Sequence, residues 1–271
     1  GVSLVAVCVS LPIGPQAAWA AGEYDFVEYD VDTGETKDVL YSEVTGQSIP
    51  SELQASAPVA AQASMGGIIG SEDRKAVSTP DRYPYAPISK IVANASQGSG
   101  VMVYSDTLLT CAHAVWSSEK GFAKDVQVIP GSSISTPKPF GTVKAKKIYV
   151  LKKYLENPHT SYDIAVVKLK EEVGNQTGWY GIKPLAISQI NDDQGLLTVT
   201  GYPGMYYGDM VTETRKEWLF GFAGQSYLTG FDFTPGQSGS PLYNQKNQVL
   251  SVMTAFTNDS AGVTQASMGT M

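Results

Sequence analysis

Short runs of β-branched and aromatic residues recur along the chain and are separated by clusters of turn-forming residues. No long amphipathic helical pattern interrupts these runs, so they have the spacing of strands in a sandwich or barrel. The 27 Gly, 15 Pro and 15 Tyr residues favour the same class. We therefore predict an all-β fold. The runs are Ile88–Val92, Gly100–Tyr104, Thr107–Thr110, Val126–Ile129, Ala145–Val150, Ile164–Leu169, Leu196–Thr200, Trp218–Phe222 and Gln248–Thr254.

The N-terminal residues have a different character. The run Gly1–Ile13 is uncharged and mostly apolar, and it is followed by Ala18-Trp19-Ala20, a small-residue pattern typical of signal-peptide cleavage. The apolar run is too short to span a bilayer. We therefore predict a signal peptide over residues 1–20, with its own start missing, and a secreted protein that has no membrane contact after the signal is removed.

The next segment, residues 21–67, is strongly acidic. It contains nine Asp and Glu residues against a single base, Lys37, and few core-forming residues follow Leu53. This composition is typical of a propeptide or linker. The triplet Asp32-Thr33-Gly34 resembles the aspartic-protease motif, but it occurs once in a charged segment and is interpreted as a turn. The folded domain is expected over residues 68–271.

Charge and cysteine usage exclude several functions. The net charge is −7 without a basic cluster, which argues against a nucleic-acid-binding surface. Signal removal takes away Cys8 and leaves Cys111 alone, so no internal disulfide is expected. His113 and His159 are the only histidines, and we predict neither a metal site nor an organic cofactor. Cys111 is interpreted as a small packed thiol.

Three local patterns carry possible chemistry. His113 follows a Leu- and Thr-rich strand, Asp163 begins an apolar strand, and Ser238 lies between two glycines in Gly236-Gln237-Ser238-Gly239. Each pattern by itself has an ordinary interpretation: a histidine at the surface or in the core, a carboxylate in a turn, and a serine in a loop. Taken together, they supply a nucleophile, a base to remove its proton and a carboxylate to orient that base. Their order along the chain is His, Asp, Ser, which is the chymotrypsin order.

These motifs resemble those of bacterial trypsin-like serine proteases, and most of all the secreted glutamyl endopeptidases. The resemblance extends from about Ile68 to Val252. It is carried by TLLTCAHAV at residues 107–115, YDIAVVKL at 162–169, TVTGYPG at 198–204 and TPGQSGSPLYNQKNQVL at 234–250. It implies two packed six-stranded antiparallel β-barrels and a bacterial, extracellular, monomeric enzyme. It also implies synthesis as a zymogen and action on protein or peptide substrates.

The resemblance also implies a role for each site residue. His113 would be the general base, Asp163 would fix its tautomer, and Ser238 would attack the substrate carbonyl. The backbone N–H groups of Gly236 and Ser238 would bind the oxyanion. His159 is interpreted as a loop residue because Asn-Pro precedes it.

Substrate preference stays open at this stage. Glutamyl endopeptidases place a histidine on the strand after the nucleophile, and Met253 stands at or next to that position here. Thr254 could donate a hydrogen bond to a substrate carboxylate. Asp232, six residues before Ser238, has the position of the carboxylate that selects Lys or Arg in the trypsin branch. Glu, Lys or Arg, and apolar preferences are therefore all retained.

Processing and a shortened C-terminus are two further expectations about this chain. Cleavage is expected within residues 65–70, where the composition changes. The family usually ends in a further strand and helix, so the sequence is expected to be cut short. The alternatives are a catalytically inactive homologue that binds peptides or proteins, and an unrelated secreted β-barrel binding module.

Overall fold

The structure is a computed structural model that describes residues 25–40, 67–94, 96–183, 195–216, 221–223, 226–258 and 264–270. The predicted signal peptide and the expected cleavage run up to Gly66 lie outside these residues. Within them the chain is mostly β, with two large sheets and one small hairpin. No helix in these ranges combines the length and hydropathy needed to cross a membrane.

Nineteen strands are present in the described residues. Those in the first part of the chain are β1 (Phe26–Asp30), β2 (Thr36–Val39), β3 (Lys75–Ala76), β4 (Ile88–Ala93), β5 (Ser96–Tyr104), β6 (Thr107–Thr110), β7 (Trp116–Ser117), β8 (Gly121–Phe122), β9 (Val126–Pro130), β10 (Val143–Leu151) and β11 (Ala165–Leu169). Those in the second part are β12 (Gly181–Ile182), β13 (Leu197–Gly201), β14 (Val211–Arg215), β15 (Gly221–Ala223), β16 (Ser226–Thr229), β17 (Pro241–Asn244), β18 (Gln248–Asn258) and β19 (Thr264–Thr270).

Helical structure is limited to short turns between strands. Two short α-helices are described, α1 (Lys152–Glu156) and α2 (Gly174–Thr177). Three 3₁₀ turns cover Ala112–Ala114, Thr160–Tyr162 and Gly204–Tyr206. The all-β prediction is therefore confirmed. Eight of the nine predicted runs fall on strands, and the remaining one, Trp218–Phe222, lies only partly within the described residues.

The first sheet closes into a six-stranded antiparallel barrel. Its strands follow the order β11-β6-β5-β4-β9-β10, and β10 pairs back with β11. Closure pairs the edges that an open sheet would leave exposed. Alternate side chains point inward, as in β4, where Ser89, Ile91 and Ala93 are buried and the side chains between them are partly exposed. The main apolar core fills this barrel, and its least exposed members include Ile88, Ile91, Val101, Met102, Leu108 and Ile148.

The second sheet contains nine strands. Its path runs β15-β16-β19-β18-β17-β13-β14-β3, and β12 pairs with β18 in parallel. A separate apolar cluster packs against it, formed by Leu197, Val199, Phe231, Phe233, Leu242, Leu250, Met253 and Phe256. A six-stranded barrel followed by a second, mainly antiparallel sheet is the double-β architecture expected from the motifs, but the second sheet has nine strands in the described residues where six were expected.

Part of the acidic N-terminal segment is folded onto the first barrel. Strands β1 and β2 form an antiparallel hairpin, and β1 pairs with β10. The residues between them form a turn in which the Asp30 side chain accepts the N–H groups of Asp32 and Thr33. The interpretation of Asp32-Thr33-Gly34 as a turn is confirmed. The predicted propeptide therefore contains an ordered hairpin, and its removal stays a prediction.

Candidate active site

His113 and Asp163 lie side by side because they follow and precede paired strands. β6 ends at Thr110, and the 3₁₀ turn that follows it carries His113. β11 begins at Ala165, which pairs with Thr110, and Asp163 lies just before that strand. Antiparallel neighbours bring the end of one strand to the start of the other. A single strand pair thus brings together two residues that are 50 positions apart.

The Asp163 carboxylate holds His113 through two hydrogen bonds. Its Oδ1 accepts the backbone N–H of His113 at 2.9 Å, and its Oδ2 lies 2.6 Å from Nδ1 of the ring. Asp163 is 4% exposed, whereas the His113 side chain is 37% exposed. A carboxylate at Nδ1 keeps a proton on that nitrogen and leaves Nε2 able to accept one. The ring is therefore oriented with Nε2 as its basic atom.

Ser238 completes a hydrogen-bonded row with these two residues. Its Oγ lies 2.6 Å from Nε2 of His113. The loop before β17 has positive φ at Gly236 (99°) and Gly239 (85°), a backbone conformation that residues other than glycine rarely adopt. A Cβ at Gly239 would also collide with the Ser99 carbonyl oxygen and the Thr110 hydroxyl. Both glycines are therefore required for the bend that presents the hydroxyl.

The first barrel also pins this loop directly. The N–H of Ser99 donates to the carbonyl oxygen of Ser238 at 2.7 Å, and the Ser99 hydroxyl donates to the carbonyl oxygen of Gly236 at 2.8 Å. Ser99 is fully buried in β5. The distance between the serine and the histidine is therefore set by contacts across the boundary between the two sheets.

Burial and the neighbouring Asp163 carboxylate act in opposite directions on the pKa of His113. Burial by itself lowers the pKa of His113, because it disfavours the imidazolium, but the Asp163 carboxylate opposes this and the net pKa is raised well above its usual value. The same carboxylate stabilises an imidazolium that forms when the ring takes up a proton. This arrangement suits a base that gains a proton during a reaction.

Cys111 lies beside the ring. It is fully buried, as expected, with Sγ 3.7 Å from Nε2 of His113. Burial raises the pKa of the thiol, which favours its neutral form. Cys111, His113 and Asp163 form the one group of three possible metal ligands within the described ranges. Both Asp163 oxygens already accept hydrogen bonds from His113, one from its backbone N–H and one from Nδ1, so the carboxylate orients the ring.

Arg74 is a residue of this site that the sequence did not reveal. Its buried guanidinium donates hydrogen bonds to Oε1 of Gln237 at 2.6 Å and to Oγ1 of Thr234 at 2.7 Å. Both partners lie in the loop that carries Ser238, so Arg74 stabilises that loop. Glu72 binds the other side of the guanidinium, at 2.8 and 2.6 Å. No local pattern around Arg74 indicates this contact, because its partners lie about 160 positions away.

Asp232 anchors the chain at the start of the domain. It is fully buried, and its Oδ1 accepts the N–H of Ile69 at 2.7 Å while Oδ2 accepts that of Asp73 at 3.4 Å. Burial raises the pKa of Asp232 and these amide hydrogen bonds lower it, with a net rise. A backbone bridge joins Gly67 to Phe233 in the same region. The carboxylate is therefore occupied by backbone amides of residues 69–73.

The remaining candidate residues have other positions. Thr254 and Met253 are buried in β18, and the carbonyl oxygen of Met253 accepts the N–H of Gly239. His159 stands before the 3₁₀ turn that leads to Asp163, and its ring accepts the N–H of Ser161 at 3.2 Å. It is thus a capping residue within the loop to which it was assigned.

The double-β fold and the Ser-His-Asp row together define the class of this protein, which is a serine endopeptidase. The chain belongs to the trypsin-like peptidase domain family, whose pattern matches residues 98–252.

Two relatives and one solved structure are similar to this chain, and the name of one relative gives a different protease class. A glutamyl endopeptidase of Bacillus licheniformis is 29% identical over 230 residues, covering 82% of this chain and 70% of the relative. A protein of Bacillus subtilis named extracellular metalloprotease is 29% identical over 246 residues, covering 88% and 73%. The solved structure of a Glu endopeptidase in complex with MPD superposes with a TM-score of 0.66 at 23% identity, covering 76% of this chain and 94% of that one. At that identity the structural match supports the fold alone.

Proposed function

We propose that the protein cleaves peptide bonds through an acyl-enzyme formed on Ser238. The observation that carries this proposal is the continuous row from Asp163 through His113 to the Ser238 hydroxyl, with both ring contacts at 2.6 Å. A serine hydroxyl is inert at neutral pH unless a base takes its proton, and this row supplies the base and its orienting carboxylate.

The proposed reaction has two stages. His113 removes the proton of the Ser238 hydroxyl as its oxygen attacks the substrate carbonyl, and the imidazolium is stabilised by Asp163. His113 then gives that proton to the leaving amine, which departs and leaves the acyl group on Ser238. In the second stage a water molecule loses a proton to His113 and attacks the ester. Ser238 is regenerated with the proton returned from His113.

The oxyanion is assigned to the N–H groups of Gly236 and Ser238. Neither N–H donates a hydrogen bond to any other group in the described part of the chain. The carbonyl oxygens of both residues are held by Ser99, which limits rotation of the intervening peptides. Each such donor contributes about 3–4 kcal/mol to the transition state in comparable sites.

For substrate preference we propose an acidic residue before the scissile bond. The B. licheniformis relative is named a glutamyl endopeptidase, which supports this preference. Asp232 is engaged by two backbone amides, which disfavours it as a receptor for Lys or Arg. Thr254 is the candidate hydrogen-bond donor to the substrate carboxylate. Matched peptides with Glu, Gln, Leu or Lys at that position test the preference, and faster cleavage of Lys would contradict it.

We also propose that the protein is an extracellular bacterial enzyme made as a zymogen. The apolar run before Ala18-Trp19-Ala20 supports export, and the B. subtilis relative is named as extracellular. Cleavage between residues 65 and 70 would break the peptide connection between the acidic segment and the folded domain. N-terminal sequencing of the active form tests this site and would contradict it by starting elsewhere.

A fluorophosphonate probe tests the central proposal. The probe reacts with an activated serine, so we expect an adduct on Ser238 that mass spectrometry can map. His113→Ala should abolish labelling, whereas an exposed-residue control such as Arg82→Ala should retain it. A chelator should leave labelling and peptide cleavage unchanged. Absent labelling in the processed, folded protein would instead support the inactive peptide-binding alternative.

A further inference from the structure

The hairpin of β1 and β2 completes an edge of the first barrel. β9 pairs with β10 only at Val143 and Lys144, so the same edge of β10 is open beyond that point. β1 continues along this edge in antiparallel register, from Phe26 opposite Leu151 to Asp30 opposite Lys147. An uncovered edge would present unpaired N–H and C=O groups. The hairpin therefore binds the barrel through the backbone hydrogen bonding that unites strands of one sheet.

Apolar side chains reinforce this pairing. Phe26, Tyr29 and Val39 are at most 7% exposed and belong to the main core of the barrel. The ring of Tyr29 stacks on Phe122, with centroids 4.7 Å apart and planes inclined by 4°. These side chains would be exposed in a free hairpin, and burying them favours the bound state.

The contact is also complementary in charge. The buried Glu28 carboxylate accepts hydrogen bonds from Nζ of Lys147 at 2.7 Å and from the hydroxyl of Tyr149 at 2.6 Å. Burial raises the pKa of Glu28, but the hydrogen bonds from Lys147 and Tyr149 and the charge of Lys147 outweigh it, so the net pKa is lowered. Two more ion pairs, Asp38 with Lys152 and Asp32 with Lys170, both at 2.5 Å, connect the exposed side of the hairpin to the barrel.

The hairpin also closes its own turn. The N–H of Gly34 donates to the carbonyl oxygen of Asp30 at 2.8 Å, and the Asp30 side chain accepts two further amides of the turn. The turn, the strand pairing, the apolar contacts and the charges all lie within residues 25–40 and the barrel. They do not require the peptide connection through residues 41–66.

We propose that residues 25–40 are a strand-addition ligand of the β10 edge, held without the covalent connection through residues 41–66. A chain cut in that connection would then remain a complex of two pieces, and the processed protein would keep an acidic hairpin on its first barrel. The proposal concerns binding and is independent of whether Ser238 is a nucleophile.

The experiment uses the full chain with Ser238→Ala, so that it cannot cut itself. A recognition sequence for a site-specific protease is placed within residues 51–66, and the cut protein is separated by gel filtration at micromolar concentration. We expect the N-terminal fragment to elute with residues 67–271 at the mass of one complex. The amides of β1 should remain protected from hydrogen exchange in that peak.

Two matched variants test the assigned contact, because each removes one negative charge from the same hairpin. Glu28→Gln removes the charge that faces Lys147, whereas Glu35→Gln changes an exposed residue. A hydrogen bond to a charged group contributes enough binding free energy that we expect Glu28→Gln to weaken the affinity of the fragment about tenfold. Glu35→Gln should change the affinity by less than about twofold.

Four results would overturn the proposal. The fragment could elute alone while residues 67–271 stay folded, or residues 67–271 could aggregate without it. The complex could elute as a dimer, which would indicate hairpins exchanged between copies. Equal weakening by both variants would contradict the assigned Glu28 contact. Fluorophosphonate labelling is measured separately on the protein that keeps Ser238, so failure here and failure of the proposed reaction are distinguishable.

Discussion

The two sheets contribute to the candidate site by different means. The first sheet supplies His113 and Asp163 from the ends of two paired strands, so a backbone ladder sets their separation. The second sheet supplies Ser238 from an irregular loop, which no ladder fixes. Arg74, Asp232 and Ser99 hold that loop and its surroundings instead. One half of the site is therefore built into the barrel, and the other half depends on side chains remote in sequence.

Removal of the nucleophile should have the largest effect. We expect Ser238→Ala to lower the turnover number by a factor on the order of 10⁴ to 10⁶, because no acyl-enzyme can form. Single-turnover kinetics with a peptide ester measure this change. The fold should be intact by circular dichroism, since Ser238 is not part of the core. Turnover within tenfold of the unaltered protein would refute the assignment.

Changing the carboxylate tests the half of the site that the first barrel builds. We expect Asp163→Asn to lower the turnover number by about 10⁴ at neutral pH, because an amide no longer holds the correct tautomer of His113 or stabilises the imidazolium. Fluorophosphonate labelling rates should fall in parallel. A variant that retained its labelling rate would show that the hydrogen bonds to His113 do not serve the reaction.

Loss of the remote arginine tests the other half. We expect Arg74→Ala to lower turnover by about 10- to 100-fold with a smaller change in KM, because Gln237 and Thr234 lose the donors that hold the loop. Arg74→Lys should restore only part of the rate, since an ammonium cannot reproduce the planar fork. Millimolar methylguanidine should partly rescue the alanine variant. If Arg74→Ala lowered the melting temperature but left kcat and KM unchanged, Arg74 would have a structural role alone.

The pH profile of kcat/KM should report the electrostatics of the first half. His113 acts as a base only when neutral, so activity falls as the pH drops through its pKa. Because Asp163 raises that pKa, the acid limb should have its midpoint above about 6.5. Asp163→Asn removes the raising charge and should move the midpoint to lower pH. Glu28→Gln, on the hairpin, should leave it unchanged, and an equal shift would point to a nonspecific charge effect.

The smallest effect is expected at the second histidine. His159→Ala should leave turnover within a few-fold, because this ring caps a 3₁₀ turn and the ring at the Ser238 hydroxyl is that of His113. The free energy of unfolding of the variant should be about 1 kcal/mol lower, which is the usual effect of losing a helix cap. Chemical denaturation and steady-state kinetics measure the two quantities. Activity lost without a loss of stability would place His159 in the reaction and overturn this ranking.

The sequence by itself determined the strand pattern and the residues of the candidate row. Runs of β-branched and apolar residues such as Thr107–Thr110 and Ile164–Leu169 depend on local side-chain chemistry, which is readable along the chain. The Gly-x-Ser-Gly bend is equally local, because the φ values of 99° at Gly236 and 85° at Gly239 strongly favour glycine.

The tertiary structure alone decided which remote groups meet. Asp232 has the spacing of a specificity residue, yet it binds the amides of Ile69 and Asp73. Arg74 carries no local signal for its contact with Gln237, and Phe26 and Tyr29 join the barrel core from a segment with linker composition. Such contacts depend on how two sheets and two N-terminal segments pack in space. Local sequence specifies which strands form, whereas the partners of a buried charge or an open strand edge are set by the packing of the whole chain.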